Sequence, residues 1–148
     1  MVTGAASGIG ATVAHGLAGP GIAFVLHTRR NEAGLTAVGT DARAAGADVV
    51  IDLRDLAEES AGESLVEATV ASFGRVYQII SNVGFADKRR VGDFDLQDYR
   101  ASNGTISEAF LGLTSPALPY WAASERGRVV AVSSFVAHIF GANDVIFS

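Results

Sequence analysis

Thr3-Gly4-Ala5-Ala6-Ser7-Gly8-Ile9-Gly10 is the stretch that decides how this chain folds. It stands between a short apolar run and a segment with helical patterning. Its glycines permit a tight turn and let the backbone come close to a bound group. The helix that follows offers unpaired N–H donors and the positive end of its dipole. A strand, a glycine turn and a helix in that order make the first unit of an open α/β sheet, and they suit a pyrophosphate. A Gly-x-x-x-Gly-x-Gly string alone is a common turn; its place at the first strand–helix junction gives it meaning.

Outward from the loop, short apolar runs alternate with helix-like segments. Strands are expected at residues 1–3, 22–28, 48–51, 76–81 and 128–133, and helices at 8–18, 31–45, 56–73 and about 95–124. Ala23-Phe24-Val25-Leu26 and Val129-Val130-Ala131-Val132 are continuously apolar, as in a parallel strand buried on both faces. In the third helix Leu65, Val66, Thr69, Val70 and Phe73 share one stripe. Pro116 and Pro119 are expected to kink or break the fourth. Repeated strand–helix units imply right-handed crossovers and an α/β, Rossmann-like, doubly wound parallel sheet. Numbered along the chain, its strands run 3-2-1-4-5. No repeat or linker divides residues 1–148, which read as one dinucleotide-binding domain. The brevity of the first strand and the apolar last one, left at an open edge, lead us to expect more chain at both ends, C-terminal strands included.

Composition narrows the function classes. The chain has 148 residues, no Cys and a net charge of -5. That excludes disulfides, thiolate metal sites and cysteine nucleophiles, and it argues against a nucleic-acid partner. No apolar run approaches the ~18 residues of a membrane span, and the first residues lack the pattern of a secretory signal. A cytoplasmic setting is expected. His15, His27 and His138 are scattered, and no metal site is expected. Lys88-Arg89-Arg90 reads as a solvated charge run, or as a contact to an acidic substrate or the diphosphate.

Four motifs in order resemble the short-chain dehydrogenase/reductase family, over what would be the N-terminal ~60% of its usual domain. The glycine loop resembles its cofactor turn, which implies that Gly4, Ser7, Gly8, Ile9 and Gly10 cradle a pyrophosphate. Asp52-Leu53 resembles the pair after the third strand whose Asp meets the adenine. Ser81-Asn82-Val83-Gly84 resembles the family's Asn-Asn-Ala-Gly, with Asn82, Val83 and Gly84 along the ribose. Gly127 to Ser134 resembles the fifth strand running into the catalytic Ser. The resemblance implies a carbonyl–alcohol oxidoreductase using a nicotinamide dinucleotide and acting as a homo-oligomer. Eighteen residues beyond Gly10, where an NAD-selecting acid would stand, the chain has Thr28, followed by Arg29 and Arg30. Guanidinium groups match a 2′-phosphate, so NADP is favoured and NAD is possible; the other reading is a solvated basic turn.

The catalytic set departs from the family pattern. Ser134 takes the place of the Ser that orients the substrate oxygen. The family's proton-transferring Tyr follows about thirteen residues later, and that position here is Phe147, which has no proton to give. Tyr77, Tyr99 and Tyr120 lie elsewhere. Three arrangements account for this: a substitution at 147, a longer loop with the Tyr beyond Ser148, or a domain that kept the nucleotide site and left redox chemistry. The last is a non-catalytic nucleotide-binding or interaction module. The family's relay Asn is also displaced: counting back from Phe110 reaches Thr105, while the nearby Asn is Asn103, a relay residue beside an insertion or a surface residue.

Overall fold

The computed structural model describes residues 1–85, 93 and 95–134. Strands β1 (Ala23–Thr28) and β2 (Asp48–Leu53) pair in parallel, with Ala23 opposite Asp48 and Thr28 opposite Leu53. Strands β3 (Gln78–Ser81) and β4 (Arg128–Ala131) form a second parallel pair, Gln78 opposite Arg128.

Residues 1–3 join the two pairs. Val2 bridges Leu26 on one side and Ile80 on the other. The Val2 N–H donates to the Val25 carbonyl at 2.9 Å, and the Thr3 N–H donates to the Ile80 carbonyl at 3.0 Å. The spatial order is therefore β2, β1, residues 1–3, β3, β4, the expected 3-2-1-4-5. The first expected strand is only this bridge, because Gly4, at φ +64°, turns the chain away at once.

Helices cover both faces. On one, α1 (Gly8–Leu17) and α2 (Glu32–Ala44) pack over Val2, Phe24, Leu26, Leu35, Val38 and Ile80. On the other, α3 (Ala61–Phe73) and α5 (Ala109–Ser124) pack over Val25, Leu65, Val66, Ile79 and Leu113. In β1, Phe24 and Leu26 serve one core and Val25 the other, which is why the strand reads as an unbroken apolar run. The Asn31 side chain starts α2 by accepting from the Gly34 N–H at 3.1 Å. At the outer edge, β4 leaves Val129 and Val130 exposed.

Two expectations about helices need correction. The third helix starts at Ala61, not at residue 56. The Asp55 carboxylate accepts from the Ala57 N–H, the Asp55 carbonyl accepts from Glu58, and Ser60 takes a left-handed φ of 62°. These turns hold the chain out of the helix, although Leu56 is still buried in the α3–α5 core. The fourth helix is not broken at its prolines, since α5 runs through Pro116 and Pro119. The irregularity falls earlier: α4 (Leu96–Asn103) passes into a π-helical turn (Gly104–Glu108) before α5 begins. Among the described residues, no helix is long and apolar enough to cross a membrane.

Candidate functional site

The site begins with Thr3, whose side chain is fully buried at the end of the central segment. Its hydroxyl accepts from the backbone N–H groups of Asn82 at 3.0 Å and Val83 at 3.3 Å, and donates to the Ile80 carbonyl at 3.4 Å. Asn82 returns the contact: its Nδ2 donates to the Thr3 and Gly4 carbonyls, both at 3.2 Å. The loop after β3 is thereby tied to the glycine turn. Asn82 is a brace for that turn as well as a wall of the cavity beside it.

Gly4 and Gly8 adopt positive φ, +64° and +55°, which gives the octet its shape. Ser7 is extended, its side chain makes no capping hydrogen bond, and no acid stands in the first turn of α1. The first N–H groups of that helix are therefore donors with no intrahelical partner at an uncompensated positive end. A Cβ on Gly8 would meet nothing within 4 Å, so open space adjoins those donors. Gly10 differs: it is buried against the Gly4 carbonyl and Asn82, and its part is to seat the helix on the loop.

These residues open on a cavity of about 580 Å³ at the C-terminal ends of the strands, a volume that suits a nucleotide-sized ligand. The glycine turn contributes Gly4, Ser7 and Ile9, and the end of β1 contributes His27, Thr28 and Arg29. Asn82, Val83, Gly84, Thr105, Ile106 and Ser134 complete the opposite side. The donor turn, the open space at Gly8 and the guanidinium of Arg29 fit a phosphate-bearing dinucleotide. Among the described residues, no group of three or more His, Asp or Glu side chains is placed to hold a metal ion.

Several expected site residues stand elsewhere. Asp52 and Leu53 do not line the cavity; Asp55 and Leu56 do. The Asp52 carboxylate is held by Arg54, with Nε at 2.6 Å and Nη2 at 2.5 Å, and Arg54 also donates to the Ala61 carbonyl at 3.3 Å. Asn103 points to Glu108, its Nδ2 3.0 Å from Oε1, and Thr105 takes the place on the cavity wall. Asn103 closes α4, and Thr105 lies inside the π-helical turn that follows. Phe147, His138 and Lys88-Arg89-Arg90 lie outside the described residues. Tyr77, Tyr99 and Tyr120 are not on the cavity wall.

The sequence reading missed His27 and Asp55. His27 is 1% exposed; its Nε2 lies 2.9 Å from the Arg54 carbonyl, and its Nδ1 has no partner. With Nε2 as donor, Nδ1 is the bare acceptor. Burial pushes the imidazole below its usual 6.5, more than the Arg54 carbonyl and the Asp52 carboxylate raise it. The folded state thus keeps His27 neutral where the unfolded chain takes a proton, and its contribution to stability is complete above pH 6.5 and falls below it. We expect the unfolding free energy from urea titrations to drop on going from about pH 7.5 to about pH 5.5, by up to about 1.4 kcal/mol per pH unit below the unfolded value. His27→Gln should flatten that part of the profile; an unchanged slope would remove His27 from the account.

Comparison with known proteins agrees with this geometry. The family model described as short chain dehydrogenase matches residues 1–148. An uncharacterized oxidoreductase of Methylorubrum extorquens is 29% identical over 148 residues, 100% of this chain and 59% of that protein. The crystal structure of a 3-oxoacyl-(acyl-carrier-protein) reductase from Agrobacterium tumefaciens C58, with NADP bound, superposes at a TM-score of 0.82 with 29% identity, over 90% of this chain and 51% of that one. An NADH-dependent reductase complexed with NAD does so at 0.81 with 26% identity, over 91% of this chain and 58% of that one. The chain thus spans little more than half the length of each. Glycine turn, strand order and the match over every residue lead to one assignment: the chain belongs to the short-chain dehydrogenase family.

Proposed function

We propose that residues 1–148 form one dinucleotide-binding domain of an oxidoreductase that interconverts a carbonyl and an alcohol and prefers NADP(H). The observation that carries the cofactor preference is the end of β1. Thr28 and Arg29 line the cavity where a carboxylate would be needed to hold a ribose diol. A guanidinium pairs well with a phosphate dianion. The similar reductase of Agrobacterium tumefaciens was solved with NADP, and the one complexed with NAD shows that the family takes either. In the same reading the protein is cytoplasmic, acts on a small-molecule substrate and self-associates through α4 and α5, which expose Leu96, Tyr99, Leu111 and Leu118.

The nicotinamide, when bound, supplies or accepts the hydride. The chain's own residues bind and orient. The turn of residues 3–10 and the start of α1 hold the pyrophosphate, Arg29 the 2′-phosphate, and Gly84 borders the ribose. The Ser134 hydroxyl donates to the substrate oxygen, and Thr105 faces the same space. Reduction of a carbonyl also consumes one proton, and Phe147 has none to give. That observation favours a second reading, a nucleotide-binding module without turnover.

Fluorescence titration with NADPH and NADH, followed by NADPH oxidation against a panel of ketones, separates the readings. We expect NADPH to bind the tighter and Arg29→Ala to bring the two affinities together. Equal affinities in the unaltered protein would overturn the preference. Binding without oxidation of NADPH by any ketone would favour the module.

A further inference from the structure

The Arg29 guanidinium is already engaged: Nη1 lies 3.6 Å from Oδ2 of Asp55, and both residues line the cavity. The two partners are not equally free. Asp55 is fixed to its own turn, its Oδ1 accepting from the Ala57 N–H at 3.1 Å and its carbonyl from the Glu58 N–H at 3.1 Å. Arg29, on a long stem, is 53% exposed and can swing. A second guanidinium near this end, Arg54, is committed to Asp52 and the Ala61 carbonyl. Among the described residues that line the cavity, Arg29 is the single permanent cation and Asp55 the single carboxylate.

We propose that Asp55 sets the cofactor preference by competing with the 2′-phosphate for Arg29; this rests on the dinucleotide reading above. A phosphate dianion arriving at Arg29 must draw the guanidinium from a carboxylate that cannot follow it. NAD carries a neutral hydroxyl at that position and makes no such demand. The pair therefore weakens NADP binding and leaves NAD binding alone, so the preference is smaller than Arg29 alone would give.

The test is Asp55→Asn in the full chain, read by NADPH and NADH titration and by thermal shift. Asn keeps the oxygen that accepts from Ala57 and loses the charge, and Asp55→Ser is a second variant that also keeps an acceptor. An exposed pair of this kind corresponds to about a two- to fivefold gain in NADPH affinity, with NADH unchanged. The gain should shrink in an Arg29→Ala background. A gain of the same size without Arg29 would mean simple repulsion and overturn the proposal. Equal changes for both dinucleotides would mean an effect on the turn, and also overturn it. If the unaltered protein prefers NADPH and the variants do not differ from it, this inference alone fails. If the unaltered protein binds neither dinucleotide, the functional reading fails first and takes the inference with it.

Discussion

Gly10→Ala is expected to abolish dinucleotide binding and to lower stability by about 3 kcal/mol. Gly10 is the third residue of α1 and has no unusual backbone angle to protect. On helix propensity alone, Ala should be an improvement of about 1 kcal/mol. Sterics reverse that sign. A Cβ at this position would stand 2.3 Å from the Gly4 carbonyl oxygen, 2.8 Å from its carbon and 2.6 Å from Asn82 Nδ2. Two of those atoms are backbone, so no side-chain rotation relieves the overlap. The helix must lift from the loop, and the Asn82 hydrogen bonds to Thr3 and Gly4 go with it.

Gly8→Ala is the matching control. Its Cβ meets nothing, so the cost is that of a left-handed residue, about 1 kcal/mol. The added methyl occupies space next to the α1 donors, so affinity should fall more than stability. Urea unfolding and NADPH titration of both variants check the pair. At Gly10 we expect at least a roughly hundredfold loss of affinity, the equivalent of about 2.7 kcal/mol. Gly10→Ala with unaltered affinity would mean that the loop keeps its shape without the seated helix.

What the sequence made legible were features with a local cause. The glycine turn, the runs of β1 and β3, the order of the sheet and the place of Arg29 follow from one-dimensional patterns. What stayed hidden depends on register or on irregular backbone. His27 stands opposite Asp52 because β1 and β2 pair in that register. One frame of the ladder away, the Arg54 contact to His27 and the Arg29–Asp55 pair would not form. Leu56 is apolar and stands just ahead of α3, so it reads as the start of that helix, although it sits buried on a turn ahead of the left-handed Ser60. At the relay position the count back from Phe110 already reaches Thr105, which stands on the cavity wall, while the Asn103 contact with Glu108 is a side-chain choice that no spacing reveals. The clamp of Arg54 on Asp52 is invisible to a motif that reads the Asp alone.

The α5 helix continues through Pro116. A proline at 116 has no N–H for the Gly112 carbonyl, which is left without its helical partner. In α5 that carbonyl lies against α3: a Cβ on Gly62 would be 2.6 Å from the Gly112 oxygen and 2.5 Å from its carbon. The absence of a Cβ at Gly62 lets the two helices cross this closely. Gly62→Ala should therefore destabilise by about 3 kcal/mol despite the better helix former, because backbone must separate from backbone. Gly112→Ala should be close to neutral, since the nearest atom to its Cβ is the Gly62 Cα at 3.9 Å. Thermal or urea unfolding of the two variants measures the asymmetry. Affinity for NADPH should fall far less in Gly62→Ala than in Gly10→Ala, because α5 meets the cavity only through the π-helical turn before it. Equal stabilities for Gly62→Ala and Gly112→Ala would mean that the two helices are free to part at this crossing. The continuity of α5 through Pro116 would then have to come from the β3 and β4 side of the helix.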